Sequence, residues 1–244
     1  MIYHEEFNNI HIKIFEAPTT EQILIAVHGF AGDCESSVIT AVADALIEKN
    51  ITTITFDLPC HGESKIDGVL KLSMCREHLD NVESYAKNQF KNKPISYFAT
   101  SFGGYLLLNK LSGSNAKYNK VILRAPAIFM SDILSQNLMN EHNFKMDEFK
   151  SNILNFGYGR ELLVDYKFYE DLKHFNLQNY NNNNHLYVLQ GKKDDIVDYE
   201  RNAVWLKTFA QNNHTLFYFE NADHRFKNPG ELEEIVNITK HIFS

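Results

Sequence analysis

Ser96-Tyr97-Phe98-Ala99-Thr100-Ser101-Phe102-Gly103-Gly104 reads as an apolar strand that turns sharply into a helix, with a serine at the turn. A serine hydroxyl is a poor nucleophile at neutral pH and has to be held at an exposed point beside a base. A tight strand–turn–helix does this when the residues two before and two after the serine are small, as Ala99 and Gly103 are. The pattern is a relaxed G-x-S-x-G, with alanine in the first glycine position. The pentapeptide alone also arises in Ser/Gly-rich loops, and a serine there can merely cap its helix. The rest of the chain has to decide.

A triad built on such a turn runs in the chain order serine, acid, histidine. Downstream, the apolar run His185–Gln190 leads into Gly191-Lys192-Lys193-Asp194-Asp195-Ile196-Val197, and Thr215–Phe219 leads into Asn221-Ala222-Asp223-His224-Arg225-Phe226. Each candidate sits just past a strand end, where open parallel sheets gather their chemistry. Upstream, Ile23–Val27 runs into His28-Gly29-Phe30-Ala31-Gly32, a glycine-flanked loop suited to presenting a backbone N–H. Asp195 and Asp198 are the alternative acids. His28 reads as a brace for its loop.

With these pieces in order, the chain resembles the α/β-hydrolase superfamily over nearly its whole length, and within it small bacterial carboxylesterases of the feruloyl or cinnamoyl esterase type. His28-Gly29-Phe30 resembles the family's oxyanion loop, and Asp57-Leu58-Pro59-Cys60-His61-Gly62-Glu63-Ser64 resembles its D-x-x-G-x-G-x-S turn. Gly191–Val197 resembles the G-x-x-D-x-x-V acid loop, which favours Asp194, and Ala222-Asp223-His224 the histidine loop. The chain departs from the family at Ala99 and at Cys60, each standing where the family carries glycine. The resemblance implies a mostly parallel central sheet with helices on both faces and a small inserted cap. It also implies Ser101, Asp194 and His224 as catalytic residues and the backbone N–H groups of Phe30 and Phe102 as the oxyanion hole, with no cofactor or metal. Asp57 and His61 either order their turn or belong to a solvated loop, and Cys60 reads as unreactive.

Composition is that of an ordinary globular enzyme: 244 residues, 44% hydrophobic, 23% charged. These place residues 1–244 in one domain. A net charge of −7 argues against a nucleic-acid partner. The opening Met1-Ile2-Tyr3-His4-Glu5-Glu6 lacks the features of a signal peptide, and no apolar run is long enough to span a membrane. Three cysteines, Cys34, Cys60 and Cys75, are an odd number in unrelated segments and suit reduced thiols, so a cytoplasmic location is expected.

Elsewhere strands and helices alternate. Ile10–Phe15 alternates like a half-buried edge strand, Ser36–Lys49 like a helix with Val38, Val42 and Leu46 on one face, and Ile51–Phe56 is β-branched. A helix carrying Leu72, Cys75, Leu79, Val82 and Ala86 follows, and the last helix opens at Pro229. Asn181–Asn184 reads as a surface turn. Residues 125–184 are too long for a simple crossover. Arg160–Phe175 is expected to be the crossover helix and about 128–159 the cap, whose aromatics (Phe129, Phe144, Phe149, Phe156, Tyr158) either pack it down or line a pocket. The expected activity is hydrolysis of a small-molecule carboxylic ester with a small or aromatic acyl group. Thioester or acyl-peptide cleavage, or a silent binding protein on the same fold, are the alternatives.

Overall fold

The computed structural model describes residues 1–140, 145–157, 159–210 and 213–244, with the side chains of 137–140 also outside the description; Phe144 and Tyr158 lie outside it. The chain opens with strand β1 (Ile2–Phe7), turns at Asn8 and Asn9, both at positive φ, and returns antiparallel as β2 (Ile10–Phe15). Asparagine tolerates that left-handed pair better than most residues, and it closes a two-residue hairpin whose twist matches the strands. β2 is therefore interior, not the edge expected. β1, whose polar face is exposed, covers its free side, while Ile10, Ile12 and Ile14 are buried.

β3 (Gln22–Val27) leads to helix α1 (Ser37–Ile47), β4 (Ile51–Phe56), α2 (Leu72–Gln89), β5 (Ile95–Thr100), α3 (Phe102–Leu111) and β6 (Val121–Arg124). After α4 (Met130–Asn140), α5 (Met146–Phe149) and a small hairpin β7–β8 (Leu154–Asn155, Leu163–Val164) come α6 (Tyr166–His174), β9 (Leu186–Gly191), α7 (Tyr199–Trp205) with a π-helical turn (Leu206–Ala210), β10 (His214–Phe219) and α8 (Glu231–Ile242). Eight strands form one sheet in the order β1-β2-β4-β3-β5-β6-β9-β10, parallel from β4 through β10.

Both faces of that sheet are covered, so its strands read as continuous apolar runs and not as alternations. In β3, Ile23, Ile25 and Val27 face the layer containing α2, α3 and α6, while Leu24 and Ala26 face α1 and α8. The chain moves from β3 outward to β4, then returns to the other side of β3 as β5. At such a reversal the loops leaving the two neighbouring strands diverge and open a crevice above their carboxyl ends. The turn at Ser101 and the loop at Phe30 flank it.

Three local expectations change. The crossover helix starts at Tyr166, because Asp165 caps it by accepting the Phe168 N–H at 2.9 Å, and Leu163–Val164 pair as a strand instead. α8 starts at Glu231 after Gly230, whose φ of 86° only glycine takes cheaply, leaving Pro229 just outside. Asn181–Asn184 is not a simple surface turn. Asn182 donates to the carbonyls of Leu111 and Ser114, and Asn184 bridges the Tyr118 N–H and the Ala116 carbonyl, so both are buried.

Candidate active site

The turn at Ser101 is held by backbone alone. Ser101 has φ 48° and ψ −114°, a strained conformation for a residue with a side chain, of a kind that costs of order 1–3 kcal/mol and persists where surroundings enforce it. Its N–H donates to the Arg124 carbonyl at 3.0 Å, and its own carbonyl accepts from the N–H groups of Tyr105 and Ala127 at 3.1 and 3.0 Å. Gly103 answers a second demand. A Cβ there would lie 2.5 Å from the His28 carbonyl oxygen and 2.6 Å from that of Val27, so the end of β3 approaches α3 as only glycine permits. Ala99 is wholly buried, and its methyl is accommodated where the family carries glycine.

Three expected side chains converge. Ser101 Oγ is 3.1 Å from His224 Nε2, and His224 Nδ1 is 3.1 and 3.0 Å from the two carboxylate oxygens of Asp194. Asp194, its side chain fully buried, accepts N–H bonds from Ile196 (3.0 Å) and Val197 (2.7 Å) and a third bond from Gln190 Nε2 (3.1 Å). Gln190 is held in turn by Asn202, which donates to its Oε1 at 3.2 Å and to the Pro126 carbonyl at 2.9 Å. Asp195 is exposed at the rim of the crevice, and Asp198 caps α7 by accepting the Arg201 N–H. Neither bonds to His224.

Phe30 and Phe102, whose backbone N–H groups are the expected oxyanion donors, lie side by side with their rings in edge contact at 5.6 Å. Among the described residues neither N–H meets an acceptor. The loop carrying Phe30 is braced from below. Leu58 N–H donates to His28 Nε2 at 3.0 Å, which leaves Nδ1 to carry the proton toward the Gly29 carbonyl at 2.8 Å. Ala31 N–H donates to His61 Nε2, whose Nδ1 faces the Pro59 carbonyl at 2.7 Å. Burial pushes the His28 imidazole down to about 4; burial and the neighbouring His28 push His61 down to about 3, so both are neutral acceptors at neutral pH.

Asp57 and His61 thus order their turn, and the solvated-loop alternative falls. Asp57, fully buried, accepts the N–H groups of Cys34 and Glu63, each at 2.8 Å. Gly62, at φ 47°, passes against the Asp57 carboxylate where a Cβ would overlap it. Cys60 adopts φ 63°, so it keeps the left-handed backbone that glycine would supply there, and burial raises its thiol above the ordinary range. His11, Cys34 and Asp57 place potential ligand atoms within 4.8 Å of one another, but both Asp57 oxygens are already occupied by backbone donors.

Arg160, which carries no recognisable signal in the sequence, staples this turn to the β7–β8 hairpin. Its guanidinium donates to the carbonyls of His61 (2.9 Å), Gly62 (2.5 Å), Ser64 (2.9 Å) and Ile66 (3.2 Å) and pairs with Asp67. Arg124 is the second residue sequence reasoning missed. It ends β6 at the crevice, donates to the His224 carbonyl at 2.9 Å and lies over the Phe226 ring. Burial lowers its guanidinium to about 10, so it stays charged at neutral pH. A polar residue at the carboxyl end of a buried parallel strand was the available signal for both Arg124 and Gln190.

Two openings meet at Ser101. The first, about 400 Å³, has an apolar wall of Phe30, Met130, Ile133, Phe156 and Ile196 and a charged rim of Asp195, Asp223, Arg225 and Lys227. The second opens toward α1. Among the described residues, no helix is long and apolar enough to cross a membrane.

A family model described as serine aminopeptidase, S33, matches residues 18–156. Est1E from Butyrivibrio proteoclasticus is similar in structure at 18% identity, with 98% of this chain and 96% of that one covered and a TM-score of 0.75. The same protein with ferulic acid bound matches at 21% identity over the same shares, also at 0.75. A soluble variant of monoglyceride lipase from Saccharomyces cerevisiae matches at 12% identity, 99% and 94% coverage and TM-score 0.73. At these identities the likeness establishes the α/β-hydrolase fold.

Proposed function

The chain belongs to the serine aminopeptidase, S33, family of hydrolases, and from that membership we propose that it is a serine esterase that cleaves small or aromatic acyl esters through an acyl-enzyme on Ser101. The observation that carries this is the unbroken hydrogen-bonded line from Ser101 Oγ through His224 to Asp194. Ser101 Oγ attacks the carbonyl carbon as His224 takes its proton. Asp194 holds the imidazole with its proton on Nδ1 and stabilises the imidazolium. The N–H groups of Phe30 and Phe102 receive the developing oxyanion, each contributing a factor of about 10²–10³. His224 then protonates the leaving oxygen, and water repeats the attack.

The opening walled by Met130, Ile133 and Phe156, residues of the proposed cap, suits the acyl group. Its volume of about 400 Å³ and its Phe30 and Phe156 walls favour a short or aromatic acyl chain. The likeness to an esterase solved with ferulic acid supports the aromatic class. The family description keeps amide cleavage as the second reading, since the same constellation attacks both bonds.

The test is hydrolysis of nitrophenyl esters from acetate to long acyl chains, of methyl ferulate and of an aminoacyl nitroanilide, with Ser101→Ala as the blank. Ester turnover that vanishes in the mutant and falls off with chain length supports the reading. Turnover of the anilide alone shifts it to a peptidase. A folded wild type that hydrolyses none of them, with Ser101 unlabelled by a fluorophosphonate, overturns it.

A further inference from the structure

The opening toward α1, about 660 Å³, shares Phe30, Ala31, Ser101, His224 and Arg225 with the cap-side pocket and adds the buried Arg124 and the start of α1. Arg124 and Arg225 line it together with Thr100, Ser36 and Ser37. Arg124 is only 8% exposed, its Nε is enclosed and unpartnered, and among the described residues no carboxylate forms an ion pair with it, although the nearby Asp194 and Asp223 favour its charge. The acids nearest it are engaged elsewhere. Asp194 serves His224 and the Ile196 and Val197 N–H groups, and Asp223 accepts the Arg225 N–H at 2.9 Å with Lys227 3.6 Å away. Arg225, exposed on the same wall, likewise forms no ion pair among the described residues.

The facing wall is the N-terminus of α1. This eleven-residue helix starts without a side-chain cap bond and without an acidic residue in its first turn. Its free N–H groups and positive dipole end therefore add to the charge of the two arginines. A buried cation without an ion-paired carboxylate is costly unless a facing anion offsets it. An arginine fork matches the planar or tetrahedral oxygens of a carboxylate or phosphate.

We propose that this cleft is a subsite for an anionic oxygen group, carboxylate or phosphate, carried on the leaving half of the ester. The inference rests on the proposed esterase function and narrows its substrate class. The Met130, Ile133, Phe156 and Ile196 wall of the cap-side pocket takes the acyl half, so the departing alcohol lies on the α1 side. Attack forms the Ser101–acyl bond and breaks the bond from the carbonyl carbon to the alkoxy oxygen. The proton that His224 took from Ser101 passes to that oxygen, and an anionic alcohol leaves past Arg225.

The test compares the butyrate esters of glycolate, of ethylene glycol monophosphate and of ethylene glycol monomethyl ether, the last neutral. Wild type is expected to favour an anionic ester over the neutral one in kcat/KM by about ten- to a hundredfold, the scale of one or two charge-assisted bonds. Which anion is preferred separates carboxylate from phosphate. Arg225→Gln should reduce that ratio about tenfold, chiefly through KM. Ser37→Glu, a substitution helix N-termini tolerate, should reduce it by putting a carboxylate in the cleft. A ratio near one in wild type, or a ratio that neither variant changes, overturns the proposal. If no ester is turned over at all, the esterase reading fails instead. Calorimetric titration of inorganic phosphate then decides the site, with binding that Arg225→Gln abolishes supporting it and no binding sinking it.

Discussion

Asp194→Asn separates the proposed mechanism from any arrangement that merely resembles it. In the native site Oδ1 accepts the Ile196 and Val197 N–H groups, and Oδ2 accepts Gln190 Nε2. Asparagine has one acceptor oxygen to place. Two backbone donors hold it at the Oδ1 position, so the new NH₂ falls where Oδ2 was, facing Gln190 and His224 Nδ1. Turning the Gln190 amide over only moves the conflict to Asn202, which donates to Gln190 Oε1. The new NH₂ occupies the nearer contact to Nδ1 (3.0 Å), while the retained oxygen, 3.1 Å from Nδ1, is already taken by two backbone donors. Nδ1 is therefore driven to accept and the ring proton to Nε2, 3.1 Å from the Ser101 hydroxyl it should deprotonate. The wrong tautomer costs about 10⁴ in turnover on such a triad, equivalent to about 5.5 kcal/mol of barrier. The mismatched donors should add about 1–3 kcal/mol of lost stability. Turnover of a nitrophenyl ester and urea unfolding measure the two separately. Asp195→Asn, at the crevice rim, should lose far less. Asp194→Asn retaining more than about a tenth of wild-type turnover, or Asp195→Asn ranking below it, would refute the reasoning.

Arg160→Met should destabilise the protein by about 2–4 kcal/mol, since a charged fork bonding four carbonyls is lost from a partly exposed site, and Arg160→Lys should recover little because an ammonium cannot reproduce the fork; equal urea midpoints for Lys and Arg would contradict this. Gly103→Ala drives a methyl into the carbonyl oxygens of Val27 and His28, at the end of β3 and the start of the loop carrying Phe30, and should cost about 1–3 kcal/mol along with at least about a tenfold drop in turnover. His28 and His61 bind protons less readily folded than unfolded, so the stability they contribute is complete above the ordinary imidazole value of 6.5 and drains as pH falls toward about 4 and about 3. Urea midpoints should fall across that window, with a shallower slope in His61→Gln. Glu83 works at lower pH. Burial alone would raise it, but Lys87, Tyr97 and Lys110 hold it at about 2, so its contribution is lost between 4.5 and about 2, and Glu83→Gln should flatten the acid limb there.

Local chemistry made much of this protein legible from its sequence. The sharp turn at Ser101 needs small neighbours, the parallel strands need apolar runs, and the acid and histidine loops follow strand ends, so each piece carries its own signal. Ala99 and Gly103 announced the turn because their constraint lies within five residues. What the sequence could not reveal is whatever depends on groups distant along the chain meeting in space. Ile10–Phe15 looks like an edge strand because its alternation suggests an exposed face, and only pairing with β1 and β4 along its two edges makes it interior. Arg160 is one of five arginines with nothing local to mark it until folding lays it across four carbonyls nearly a hundred residues away. Asn182 and Asn184 look like loop residues because their partners near Leu111 and Tyr118 are invisible to local pattern. Periodicity and turn chemistry, being local, determined the strands, the helices and the order of the reactive residues. Register, the pairing of long polar side chains and the two adjoining clefts at Ser101 were decided by tertiary structure, since a hydrogen bond depends on distance in space and not on separation along the chain.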